Sequence, residues 1–133
     1  MRTPYFLIPL ALGALACPVG TSVGGFPPAT GPAGITVVVR SDSVTVGGEL
    51  LEAADTAMLV ADNRAVWLIP YLVVSTARFE KRGSLNFGDR HGPDRAQLAE
   101  MRLLSRFPRG LAPELLQRLL PAYQQAEPAV VRR

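Results

Sequence analysis

Residues 35–79 read ITVVVRSDSVTVGGELLEAADTAMLVADNRAVWLIPYLVVSTARF, short apolar runs divided by turn residues. Ile35 to Val39 alternates, Ser41-Asp42-Ser43 turns, and Val44 to Ala53 forms a second run with Gly47-Gly48 in its middle. Ala54-Asp55 leads into Thr56 to Val60, Asp62-Asn63-Arg64 leads into Ala65 to Ile69, and Pro70-Tyr71 breaks the chain before Val73 to Phe79. Runs of this length with tight polar connections predict five strands in an antiparallel meander. Glycine inside a strand permits a sharp bend where a sheet turns a corner. The expected fold is α+β: a small five-stranded antiparallel barrel or strongly bent sheet over residues 35–80, covered by two C-terminal helices.

The third and fourth runs demand that cover. Ala57 and Leu59 stand on one face and Met58 and Val60 on the other, and the next run repeats the pattern with Val66 and Leu68 against Trp67 and Ile69. A half-exposed strand would alternate apolar with polar, so a second layer must shield the outside. After a polar loop at 81–93, Asp94 predicts the N-cap of a helix reaching about Ser105 or Arg106 with Leu98, Met101 and Leu104 on its apolar face. Pro113 opens a second helix, Glu114 suits its first turn, and Leu115, Leu116, Leu119, Leu120 and Tyr123 repeat at helical spacing. Pro121 has no N–H for Gln117 and ends or kinks that helix. The helical hairpin spans 94–126, both helices covering one side of the barrel, and 127–133 is read as a flexible tail.

Ahead of the strands, Arg2, the apolar run Tyr5 to Ala16 and the small residues Ala14 and Ala16 have the form of an export signal, residues 1–16, cut before Cys17. A membrane-spanning helix would need about 18 apolar residues, but Pro9 interrupts this run. Cys17 is the only cysteine, so no intramolecular disulfide forms and stability rests on the hydrophobic core. Ordinary signal cleavage and lipoprotein cleavage would sever the same bond, leaving a free thiol in one case and a lipidated Cys17 in the other. The Gly/Pro-rich stretch at 17–34, with Pro27-Pro28 and Pro32, suits a tether and favours lipidation.

Charge is unevenly spread. From Ile35 to Glu80 three basic residues face six acidic ones, a balance of −3, whereas from Lys81 to Arg133 ten basic residues face five acidic, a balance of +5. Two complementary surfaces packing within one fold would account for this. The alternative is a basic face toward anionic lipid or cell-wall polymer.

The strand bent at Gly47-Gly48, the step Glu49-Leu50-Leu51 into Asp55-Thr56-Ala57-Met58 and the Ile69-Pro70 turn resemble the small SH3-like and Sm-like barrels. That resemblance implies a fold. It does not carry over the RNA site of Sm proteins, because Leu59 follows Met58 where an asparagine would be needed and Ile69-Pro70 replaces an Arg-Gly pair. The order of signal, tether, barrel and Leu-rich helices also resembles uncharacterised envelope lipoproteins of Gram-negative bacteria, which implies no activity.

No catalytic, metal or cofactor residue is assigned. Ser84, His91, Asp89 and Asp94 could be drawn as a triad, but a Gly/Pro loop does not enforce triad geometry. One histidine and one cysteine do not build a zinc site. Glycines 83, 88 and 92 match no phosphate loop. Strand parity puts Glu49 and Glu52 on opposite faces, a poor acid/base pair. Export removes the chromosome as partner for Arg102, Arg106, Arg109 and Arg118. The expected function is therefore a non-enzymatic exported lipoprotein, held to a membrane through Cys17, with a possible envelope protein partner and no nucleic acid. The alternative is a soluble periplasmic binding domain for a small ligand or peptide.

Overall fold

A computed structural model describes residues 33–87 and 91–133. The signal at 1–16, Cys17 and the tether as far as residue 32 lie outside the described residues, as does Asp89. The fold is α+β, with strands β1 (Thr36–Ser41), β2 (Thr45–Ala53), β3 (Ala57–Ala61), β4 (Val66–Pro70), β5 (Val74–Phe79), β6 (Gly83–Asn86) and β7 (Ala129–Val130). Helices α1 (Arg95–Leu104) and α2 (Pro113–Leu119) lie between β6 and β7 in the chain. A 3-10 turn at Tyr71–Val73 joins β4 to β5, and another at Leu120–Tyr123 extends α2 past Pro121.

The first five strands form close to where the apolar runs place them, but they make no closed barrel. The sheet has seven strands in the order β6-β5-β1-β2-β3-β4-β7. β5 does not continue the meander beside β4: the turn at Tyr71–Val73 carries the chain across to pair antiparallel with β1. Closure would require β4 to meet β5. β6 occupies the free edge of β5, and β7 pairs in parallel with β4. The added strands arise where a polar loop and a free tail were expected. The Gln125 side chain prepares the second addition, accepting from Val66 N and donating to Val66 O at the β4 edge, and Val131 N then bonds to Leu68 O.

The turns are built by the short polar side chains between runs. Ser41 Oγ donates to Val44 O and accepts from Val44 N, and Asp62 Oδ1 accepts from Arg64 N and Ala65 N at 2.7 Å each. Asp94 caps α1 through a reciprocal box, its Oδ1 accepting from Gln97 N while Gln97 Oε1 accepts from Asp94 N.

Two apolar clusters lie on opposite faces of the sheet. The larger takes Val37, Val39, Val46, Leu50, Met58, Val60, Ile69, Ala77 and Phe79 from β1 to β5, with Met101 of α1, Phe87, Tyr71 and Val131. The smaller takes Leu51, Leu59, Ala61 and Val66 against Leu119 and Leu120, with Leu68, Phe107, Leu111, Leu115, Leu116 and Tyr123 around them. The second layer demanded by β3 and β4 is thus α2 and its flanks. α1 packs on the other face, so the two helices do not cover one side together. Both faces of the central strands are apolar, and each needs its own lid.

Candidate functional site

β2 decides where the sheet is covered. Its register against β3 slips between Leu50 and Glu52, a bulge with Leu51 as the extra residue. Leu50 enters the larger cluster and Leu51 the smaller. The bulge also corrects the parity of the two glutamates. Glu49 lies opposite Ala61 and Glu52 opposite Leu59, both residues of the smaller cluster, so Glu49 and Glu52 share a face. They serve different neighbours. Glu49 Oε1 accepts from Gly34 N and lies 2.7 Å from Arg106 Nε, whereas Glu52 lines a cleft with Asp55, Arg102 and Arg109.

That cleft, about 310 Å3, sits where the end of β2 meets the chain after α1. Arg102 donates from Nε to Ala53 O at 3.1 Å and from Nη2 to Asp55 Oδ1 at 2.6 Å. Both ion pairs among the described residues, Arg102 with Asp55 and Arg106 with Glu49, join the basic C-terminal half to the acidic strands. The uneven charge is used, at these points, to dock one half of the chain on the other.

The uncovered surface lies elsewhere. Over β6, β5, β1 and the first half of β2, no helix among the described residues covers the face opposite the larger cluster. Register places Asn86, Thr76, Arg40 and Thr45 in one row and Ser84, Arg78, Val38 and Gly47 in the next. Six of these residues line a shallow cleft of about 450 Å3. Val38 is 39 % exposed at its centre. Arg40 and Arg78 are diagonal neighbours across β1 and β5, about 7–8 Å apart at that spacing, and neither is ion-paired among the described residues. Sequence reasoning missed this face because both arginines belong to the acidic half; only the pairing of β5 with β1 brings them together. Polar Thr36 and Arg40, an even number of residues apart at the two ends of the valine run, were the available signal for an outward Arg40.

The other singled-out residues are dispersed. Ser84 lines the sheet-face cleft, His91 is exposed with φ 58° beside Tyr71 and Leu72, and Asp94 is engaged in its capping box. Tyr71 is buried, donates to Ala54 O at 2.8 Å and meets Phe87 edge-on at 5.7 Å between ring centroids. Burial pushes its phenol well above the ordinary range. Burial likewise raises Tyr123, with Glu49 adding to the shift. Burial raises the Asp62 carboxyl, but the amides of Arg64 and Ala65 and the Trp67 indole, 3.0 Å away, outweigh it and hold the group below its ordinary value. Among the described residues no His, Cys, Asp and Glu group of three or more is placed to hold a metal ion. None of their helices is long and apolar enough to cross a membrane.

Comparison with known proteins finds no matching family model, no matching curated protein and no matching solved structure.

Proposed function

We propose that this chain is a non-enzymatic interaction module of a Gram-negative cell envelope, exported by residues 1–16, held at a membrane by lipid on Cys17, and turned toward an envelope protein partner through its bare sheet face. One observation carries the interaction reading: the sheet is sealed by α2 over β3 and β4 and open over β6, β5 and β1, where Val38, Arg40 and Arg78 stand outward on a rigid ladder. Arginine is enriched at protein contact surfaces, which combine an apolar centre with a polar rim. The Gly47-Gly48 pair inside β2 and the end of β4 at Pro70 support a kinship of architecture with the small SH3-like and Sm-like barrels, with two edge strands added here. The export half of the reading rests on Ala14-Leu15-Ala16-Cys17 and the tether behind it.

The test has two parts. Mass spectrometry of the mature N-terminus from membranes should show acylated Cys17; a bare cysteine there removes the anchor and favours a soluble periplasmic binding domain. Arg40→Glu with Arg78→Glu should leave the protein folded and membrane-held while abolishing crosslinks to whatever protein the parent contacts through this face. Unchanged crosslinks would exclude the sheet face.

A further inference from the structure

Val38, Leu72, Leu103 and Val130 are the large apolar residues exposed among the described residues, and two of them meet. Leu72, 59 % exposed on the turn after β4, and Val130, 44 % exposed on β7, line one groove with Pro70 and Val73. The groove encloses about 620 Å3, and the rest of its lining is His91, Val131, Arg132 and Arg133, with no Asp or Glu side chain. Both arginines are fixed to its margin. Arg133 Nη2 donates to Leu72 O at 3.4 Å, and Arg132 O accepts from Ser43 Oγ at 3.0 Å. An adjoining cleft that shares Leu72 and His91 contains Asp55, which is paired with Arg102.

We propose that this margin is the surface by which the domain lies on an anionic phospholipid bilayer, with Leu72 and Val130 at the boundary of the acyl chains and Arg132 and Arg133 against lipid phosphates. Exposed apolar side chains flanked by cations match an interface that is apolar at depth and negative at its surface. An apolar protein partner would have to dry the two guanidinium groups without neutralising them, which is costly. A bilayer solvates both kinds of group at once, because long basic side chains keep their charge at headgroup level while their stems stay apolar. This goes beyond a lipid on Cys17 and does not depend on it.

The measurement is co-sedimentation of the chain from residue 17, which keeps every described residue, with Cys17→Ser so that no acyl chain contributes. Vesicles of equal parts phosphatidylglycerol and phosphatidylcholine are compared with phosphatidylcholine alone. The parent should partition onto the anionic vesicles in preference. Arg132→Ser with Arg133→Ser should lower that partition about 25-fold, and Leu72→Ser about tenfold. Leu103→Ser, removing an 80 % exposed leucine outside the groove, should leave it unchanged. Equal binding to both vesicles, indifference to Leu72→Ser, or a dimer that Leu72→Ser dissociates without any vesicle binding would overturn the proposal. Failure here leaves an acylated Cys17 untouched, and a bare Cys17 leaves this surface untouched.

Discussion

β2 belongs to two regions that behave differently. Its first half, with β1 and β5, alternates strictly: Val37, Val39 and Val46 face the core, and Val38, Arg40 and Thr45 face out. Its second half joins β3, where all five residues are buried because α1 covers one face and α2 the other. The change falls between Gly48 and the bulge at Leu51. A sheet buried on both faces tolerates almost no change of volume, whereas a half-open sheet can vary its outer face and use it for contact.

Core truncation should separate the regions most strongly. Leu50→Ala should cost about 2–5 kcal/mol, whereas Val38→Thr, on the open face, should stay within about 0.5 kcal/mol; urea titration reads both. The two adjacent glycines give a narrower contrast. A Cβ at Gly48 would lie 2.2 Å from the backbone oxygen of Ala61, while one at Gly47 meets nothing nearer than Val38 Cγ2 at 3.6 Å. Gly48→Ala should therefore lose about 1–3 kcal/mol, and Gly47→Ala should be neutral or gain a few tenths through a less flexible unfolded chain, about the scale known for such changes. Equal losses at both positions would erase the boundary drawn between them.

The remaining contrasts are smaller. Asp94→Ala removes the cap of α1, the lid of the larger cluster, and should cost about 1 kcal/mol. Asp62 closes the β3–β4 turn of the sealed region. Its carboxyl is held below its ordinary value of 3.8 in the folded protein, so the folded state binds the proton more weakly than the unfolded chain does. The contribution is whole above that ordinary value and fades as pH falls through the lower folded one. Asp62→Ala should cost about 1 kcal/mol at neutral pH, with parent and variant converging in acid. Tyr71 runs the opposite way. Its phenol is raised by burial, so the stability of the neutral form is complete below about pH 10 and lost as pH climbs toward the folded value. Tyr71→Phe should flatten that alkaline loss in thermal melts.

Much of this architecture was legible because local chemistry dictated it. The alternation of β1, the two-faced apolar pattern of β3 and β4, Asp94 as a cap and Pro113 at the start of α2 are properties of neighbouring residues, and the period of 2 or 3.6 exposes them. Glu49 and Glu52 were misplaced because parity counting assumes an unbroken strand, and a bulge is a property of two strands in register. The open face was invisible for the same reason: Arg40 and Arg78 are far apart in the chain and share only a ladder. His91, the sole histidine, drew attention by type, yet the structure leaves it exposed beside Leu72 and apart from Ser84.

By itself, then, the sequence determined the place of the five main strands and the need for cover on both faces of β3 and β4. Those follow from short-range sterics, periodicity and the cost of exposing apolar surface. Only the tertiary structure decided that the sheet stays open, that the helices part to opposite faces, and that Arg40 and Arg78 meet on one face with no ion pair among the described residues. β6 and β7 win the edges of β5 and β4 by long-range hydrogen bonds, and no local pattern encodes which distant segment will fill an edge.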